Sequence, residues 1–251
     1  QAHSATPEGA PFIVHACEGI DNLARKEIFD LDRLRVLDPN TVLVHGLAMG
    51  DAGIALMQER RASLVVCPSS NQFLFGQLPD SRLVHEIKNI SLGSDSSITA
   101  TGDLLDEVRF AIDHYGIPPE KAYCMGTEAP ASSLRLTEGE GAIRKAGRAD
   151  LIAVRDTGDD AAARLSALSI ADIELVLLGG QVQLASDEVY GLLPLQAKQG
   201  MECLWINGNI RWLRAPVRLL MREVEAVLDH NSARLGGKQV RIPEAAEVTH
   251  A

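Results

Sequence analysis

His15 and Glu18, three positions apart in Val14-His15-Ala16-Cys17-Glu18, offer an imidazole that can bind a divalent metal beside a carboxylate that can move a proton. Three more stretches end in side chains able to join them. Val42-Leu43-Val44 runs into His45, Val65-Val66 into Cys67-Pro68-Ser69-Ser70-Asn71, and Ile90-Ser91-Leu92 into Gly93-Ser94-Asp95. Together they make a site hypothesis: titratable and polar groups gathered where four apolar runs stop.

Something must hold these ends on one side. The four runs starting near 12, 41, 63 and 90 are short, apolar and β-branched, and the first, after Pro11, reads as a strand buried on both faces. Charged, amphipathic segments separate them, which is the cadence of successive βα units in a parallel sheet, where ligands collect at the C-terminal strand ends. Asp21 to Leu37 suits one surface helix or two short ones, Asp51 caps a helix to about Arg61, and Pro68 to Asn71 reads as a polar loop. A helix from Gly102 to Gly116 places Leu104, Leu105, Val108 and Ile112 on one face, and another spans Glu120 to Leu136. Beyond Gly139 the texture changes to short strands at 150–154, 173–178 and 181–184 about a Gly179-Gly180 turn, then 203–206 and 210–212 about Asn207-Gly208-Asn209. The last helix, from Pro216 to about His230, carries a stripe of Val217, Leu220, Met221, Val224, Val227 and Leu228 that must pack on something.

Composition narrows the function. With 251 residues, 46% of them hydrophobic and 23% charged, the chain is neither disordered nor, lacking an apolar run of about 20 residues, a membrane-spanning protein. A net charge of −10 without a basic block argues against capture of nucleic acid or an anionic membrane and for a small-molecule substrate. The four widely spaced cysteines read as reduced thiols in a cytoplasmic protein, with Cys67 a small buried hydrophobe. His3, His85 and His114 read as surface residues, and Asp156, Asp159 and Asp160 as a solvated loop. The opening Gln1-Ala2-His3-Ser4 has no initiator Met and no signal peptide, and reads as the middle of something longer.

The series His15-x-x-Glu18, Val-Leu-Val-His45-Gly, Cys67-Pro-Ser-Ser-Asn71 and Leu92-Gly-Ser-Asp95, followed by Gly147-Arg-Ala-Asp150-Leu-Ile-Ala-Val154, resembles the amidohydrolase superfamily, in its metal-dependent deaminase and chlorohydrolase branch. The resemblance implies that His15 and Asp95 are metal ligands, that Asp95 also takes a proton from the bound water, that Glu18 is the proton shuttle, and that His45 faces that water. Ser70 and Asn71 fall where substrate is contacted. The implied cofactor is one divalent ion, zinc or iron, and the implied reaction is hydrolytic deamination or dechlorination of an N-heterocyclic or related small molecule. One departure is decisive for the fold: the family's His-x-His pair on the first barrel strand has no counterpart. A complete (β/α)8 barrel takes about 250 residues, and roughly half that length precedes the β-rich region. The expected fold is therefore α/β: the C-terminal half of a TIM-type barrel, about four βα units over 1–138, a small β-sandwich module over 139–215, and a C-terminal helix and tail over 216–251. The expected partner is the missing N-terminal half of the barrel or a second chain, as in a homo-oligomer. The alternative is a non-catalytic fragment or subunit that acts only as a binding or structural module.

Overall fold

A computed structural model describes residues 2–229 and 232–249, in two compact units: 1–143 with 161–167, and 144–160 with 168–251. The first is built on four parallel strands in the order β1 (Phe12–Ala16), β2 (Thr41–His45), β3 (Ser63–Val66), β4 (Ile90–Leu92). Helices α1 (Asn22–Arg33) and α2 (Asp51–Arg60) follow the first two strands. Then come α3 (Pro68–Phe75) and α4 (Ser81–Glu86) after β3, and α5 (Leu104–Tyr115), α6 (Pro119–Gly126) and α7 (Glu128–Ser133) after β4. The runs that the sequence marks as strands are those that pair, in unbroken parallel register from Phe12↔Thr41 to Ala16↔His45 and on to Val66↔Leu92. Leu43, Leu64, Val66, Ile28 and Met57 share one core, each wholly buried.

β1 departs from expectation. It is not buried on both faces: Ile13 is 50% exposed and His15, two residues on and so on the same face, is exposed too. Phe12, Val14 and Ala16 on the opposite face are better covered, so β1, at one edge of the sheet, is packed on one face only. β4, the other edge, has all three residues buried.

Local chemistry corrects the helix boundaries. Asp21, not a helical residue, caps α1 by accepting from the Leu23 and Ala24 amides at 2.9 and 2.8 Å. α2 is capped by Gly50, while the expected cap Asp51 lies inside the helix and pairs instead with Arg82. The single helix expected over 120–136 is two, because Pro130 has no amide for the Gly126 carbonyl and its ring would crowd it; α6 stops at Gly126 and α7 starts at Glu128. α5 runs as expected to Gly116, which takes the left-handed conformation at φ 61°. At its start Asp103 accepts from the Leu105 and Asp106 amides, and Asp106 answers from the third helical position to the Asp103 amide. Replacing such a cap by alanine costs about 1 kcal/mol, so Asp103→Ala is expected to lower the unfolding free energy by that amount, seen as a lower urea midpoint with an unchanged slope.

The second unit is organised on seven strands. They are β5 (Leu151–Val154), β6 (Ile173–Leu178), β7 (Gln181–Ser186), β8 (Glu202–Ile206), β9 (Asn209–Leu213), β10 (Arg234–Leu235) and β11 (Lys238–Arg241). Every pairing is antiparallel, in the order β10-β11-β8-β9-β7-β6-β5. α8 (Ala161–Ala167) returns to the first unit, and α9 (Asp187–Leu192), α10 (Leu195–Lys198) and α11 (Val217–Glu225) belong to the second. Tyr190 stacks on Trp212 with ring centroids 3.7 Å apart, and the Trp212 indole donates to Asp187 at 2.9 Å. α11 puts only Val217 and Met221 of its apolar stripe into the core with Leu204, Ile206 and Val240. It ends at Glu225 rather than near position 230, which lies outside the described residues; past that end the Val227 amide bonds the Val224 carbonyl three residues back, a tighter turn, and the Leu228 amide shares the same carbonyl. The segment expected as a tail forms the β10–β11 hairpin instead, turned by Gly236 and Gly237 at φ 53° and 74°.

Candidate metal and acid–base site

The parallel register puts the ends of β1 and β2 side by side, and each end is held in an uncommon backbone state. Just past β1, Cys17 is left-handed at φ 55°; β2 ends in His45 at φ 79°, and beyond β4 Asp95 sits at φ 57°. Non-glycine residues there cost about 1–3 kcal/mol and persist only where their surroundings over-determine them. The surroundings do so. The Cys17 amide donates to Glu27 of α1 at 2.6 Å and its carbonyl accepts from the Ala48 amide at 2.8 Å. Gly46 follows His45 at φ 69°, a left-handed conformation that favours glycine, and a Cβ there would also press on Met49 Cε. The strand ends are thereby bent to turn particular side chains toward one another.

Glu18, His45 and Asp95 converge, with one ligand atom of each within 4.8 Å of the others. His45 Nε2 stands 3.6 Å from Glu18 Oε1, too far for a direct hydrogen bond and close enough for both to address one atom beside them. His45 is buried; Glu18 is half-buried and Asp95 exposed, so the group opens toward solvent. His15 is not part of this tight group. Its ring lies beside that of His45, centroids 5.4 Å apart and planes tilted by 42°, on the exposed face of β1. Burial lowers the His45 pKa from the ordinary imidazole value; Glu18 and Asp95 pull it up and His15 pushes it down. All four residues thus share one electrostatic environment. One imidazole and two carboxylates make a nitrogen and oxygen donor set suited to a divalent cation such as zinc.

Ser70 and Asn71 belong to the same place, though not in a loop. Cys67 caps α3, Pro68 opens it, and the Asn71 amide donates to the Cys67 carbonyl at 3.0 Å. Proline at the first helical position is a helix start. The apolar period that marks a helix is absent because the buried face is polar: Ser69, Ser70 and Asn71 are at most 1% exposed. Ser70 Oγ donates to Asp95 Oδ2 at 2.5 Å and lies 2.9 Å from Thr99 Oγ1. Asn71 Nδ2 lies 3.3 Å from His45 Nδ1, while Asn71 Oδ1 is buried with no hydrogen-bond partner among the described residues.

Two members escape a reading of the sequence alone. Glu107 of α5, 1% exposed, accepts from the Ser69 amide at 2.9 Å and from the Ser69 hydroxyl; its signal is a carboxylate inside the apolar stripe, three residues from Leu104 and one from Val108. Thr99, whose hydroxyl is 3.4 Å from Asp95 Oδ2, gives no signal in sequence. Cys67 is buried as expected, its thiol pushed up to about 12 by burial and then by Asp95, Glu107 and Glu18. His85 and His114 are exposed, and each ring bonds a backbone carbonyl, of Tyr115 and of Phe110. His3 is only partly exposed and pairs with Asp38 at 3.1 Å. A groove between α2 and α4 is lined by Asp51, Gln58, Arg82 and Glu86. Its polar groups are engaged locally, Arg82 with Asp51 and Asp80 and Gln58 with the Glu86 carbonyl, and it contains none of the converging residues.

A sequence profile of the Amidohydrolase family matches residues 2–183. Among curated relatives, a 5-methylthioadenosine/S-adenosylhomocysteine deaminase of Pyrococcus furiosus is 28% identical over 191 residues, 72% of this chain and 40% of the relative. A 5'-deoxyadenosine deaminase of Methanosphaera stadtmanae is 28% identical over 134 residues, 49% of this chain and 31% of the relative. Of solved structures, an adenosine deaminase from Xanthomonas campestris with bound zinc superposes with a TM-score of 0.64 at 21% identity, over 70% of this chain and 45% of that one. An atrazine chlorohydrolase from Arthrobacter aurescens in complex with zinc gives 0.57 at 17%, over 72% and 46%. The chain thus spans less than half the length of each of these relatives.

Proposed function

Since the chain belongs to the amidohydrolase family, we propose that it forms part of a metal-dependent hydrolase that releases ammonia, or chloride, from an N-heterocyclic small molecule. The observation that carries this reading is the convergence of Glu18, His45 and Asp95 from three separate strand ends within 4.8 Å. Deaminases and a chlorohydrolase among the relatives, two of them with zinc, support the reaction class.

Each residue has a part. His15 and Asp95 would hold one divalent ion, zinc before iron, with Ser70 steadying the Asp95 carboxylate by a hydrogen bond to Oδ2. Bound there, such an ion supplies the Lewis acidity that makes water a nucleophile near neutral pH. Glu18, half-buried beside His45, is placed to collect a proton at one carboxylate oxygen and deliver it to the leaving nitrogen. His45, kept uncharged by burial at neutral pH, offers its Nε2 to the attacking water without repelling the cation. Asn71 orients that ring from the other nitrogen. Asp95 accepts the proton that the water gives up.

The four-stranded unit is read as half of a barrel, completed by a segment that brings further ligands and lies on β1. The half-exposed Ile13 and exposed His15 on that edge support this, as does the share of the relatives' length that the chain covers. A second copy of the chain is the other candidate for that edge. Among the described residues no helix is long and apolar enough to cross a membrane, and the cysteines are unpaired, which supports a reducing, cytoplasmic setting.

The test is metal analysis of the purified assembly followed by a screen of aminated and chlorinated purines, pyrimidines and triazines for release of ammonia or chloride. Metal-dependent release from at least one of them is expected. A zinc-loaded assembly that liberates neither ammonia nor chloride across the panel would count against the reading.

A further inference from the structure

We propose that Glu107 is a positioning residue, which through Ser69 sets the first turn of α3 so that Ser70 meets Asp95 and Asn71 meets His45. The inference rests on the reading of Asp95 and His45 as working groups. Its starting point is an anomaly of burial. Position 107 lies on the packed face of α5 with Val108 and Ala111, where an apolar side chain would stabilise the fold by its burial. A carboxylate there costs free energy unless it is well bonded. Both Glu107 oxygens are engaged by one residue, Ser69, through its amide and its hydroxyl. That amide belongs to the first turn of α3, whose N–H groups have no partner within the helix and favour an anion.

Ser69 also reaches the Asp95 loop, since its Oγ accepts from the Thr101 amide at 3.4 Å. Three consecutive residues then fan out at helical spacing to three elements: Ser69 to α5, Ser70 to Asp95 beyond β4, and Asn71 to His45 at the end of β2. Rotation of this turn would move two of the site's hydrogen bonds at once. Glu107 makes no hydrogen bond to Asp95 or His45, so its bonded route to the site is the turn; beyond that, Asp95 meets it only as a like charge, which Ser69→Ala leaves in place.

Burial holds the Glu107 carboxyl above the ordinary carboxylate range, with its bonds from Ser69 pulling the other way. The sign follows from linkage. A raised carboxyl pKa makes the folded chain hold more protons than the unfolded one, so the stability is fully present below the unfolded value of about 4.3 and is lost as pH rises through the folded value. Glutamine has no charge to bury. Glu107→Gln should therefore keep or raise the melting temperature at pH 7, yet weaken the clamp, because its amide nitrogen cannot accept the Ser69 hydroxyl proton and can only donate to Oγ, a neutral bond in place of a charge-assisted one.

The experiment compares wild type, Glu107→Gln and Ser69→Ala in the purified full chain, reading the ring-nitrogen resonances of 15N-labelled histidine, with His45 assigned by difference from His45→Gln. Both variants are expected to shift the His45 signals and, in the active assembly, to lower kcat about 10–100-fold, the usual loss when an outer hydrogen-bond partner is removed, with KM little changed. Wild-type His45 signals in both variants overturn the proposal, whatever happens to stability. Should Glu107→Gln fail to fold, the His45 signals of Ser69→Ala decide the matter alone. Absence of turnover in the wild type speaks against the hydrolase reading, and the resonances still decide the positioning role.

Discussion

Glu18→Gln is expected to lower turnover about 10²–10⁴-fold in the active assembly, the range for loss of a general acid–base group, while metal content stays at the wild-type level. The amide keeps the size and the half-buried place of the carboxylate but cannot carry a proton between the water and the leaving nitrogen. The two measurements are made together: the steady-state rate of ammonia release, and metal per chain by elemental analysis. Near-normal turnover would remove Glu18 from the shuttle role. Loss of metal along with activity would instead place Glu18 among the ligands, an outcome with structural grounds because its oxygen is one of the three donors gathered within 4.8 Å.

Asp95→Asn should lose metal affinity by more than the roughly 10–100-fold that removal of an outer partner costs, and turnover should fall with it. The substitution takes the negative charge from the donor group yet leaves a side chain that still fits the left-handed turn at φ 57°, since asparagine tolerates that conformation. Ser70→Ala, which removes only the hydroxyl that donates to Asp95, should stay within roughly the 10–100-fold range. His15→Ala should follow Asp95→Asn, even though His15 stands outside the tight group. Zinc titration against a competing chelator ranks the three variants. An Asp95→Asn chain that binds zinc like the wild type would refute the ligand assignment, and the same result for His15→Ala would leave the ion to Glu18, His45 and Asp95.

The sequence by itself determined where the four parallel strands lie and which chemical groups end them. Runs such as Thr41-Val-Leu-Val-His45 are legible because β-branched and apolar residues packed between layers leave a local pattern, and because His15, Glu18, His45 and Asp95 sit where those runs stop. It also marked two hairpins of the second unit, β6–β7 and β8–β9, whose glycine-containing turns are local signals, but not β10–β11, whose segment reads in sequence as a tail. Tertiary structure alone decided the rest. α3 is invisible to hydrophobic periodicity because its buried residues Ser69, Ser70 and Asn71 are polar, each matched to a partner that is distant in the chain. Glu107 reads in sequence as an interruption of an apolar stripe and becomes intelligible only beside Ser69. The left-handed turns at Cys17, His45 and Asp95 are held by contacts such as that of Glu27 with the Cys17 amide, which no local propensity encodes. The exposure of Ile13 and His15 reflects which face of β1 the rest of the unit covers, and that is a property of the assembled layers rather than of any segment in them.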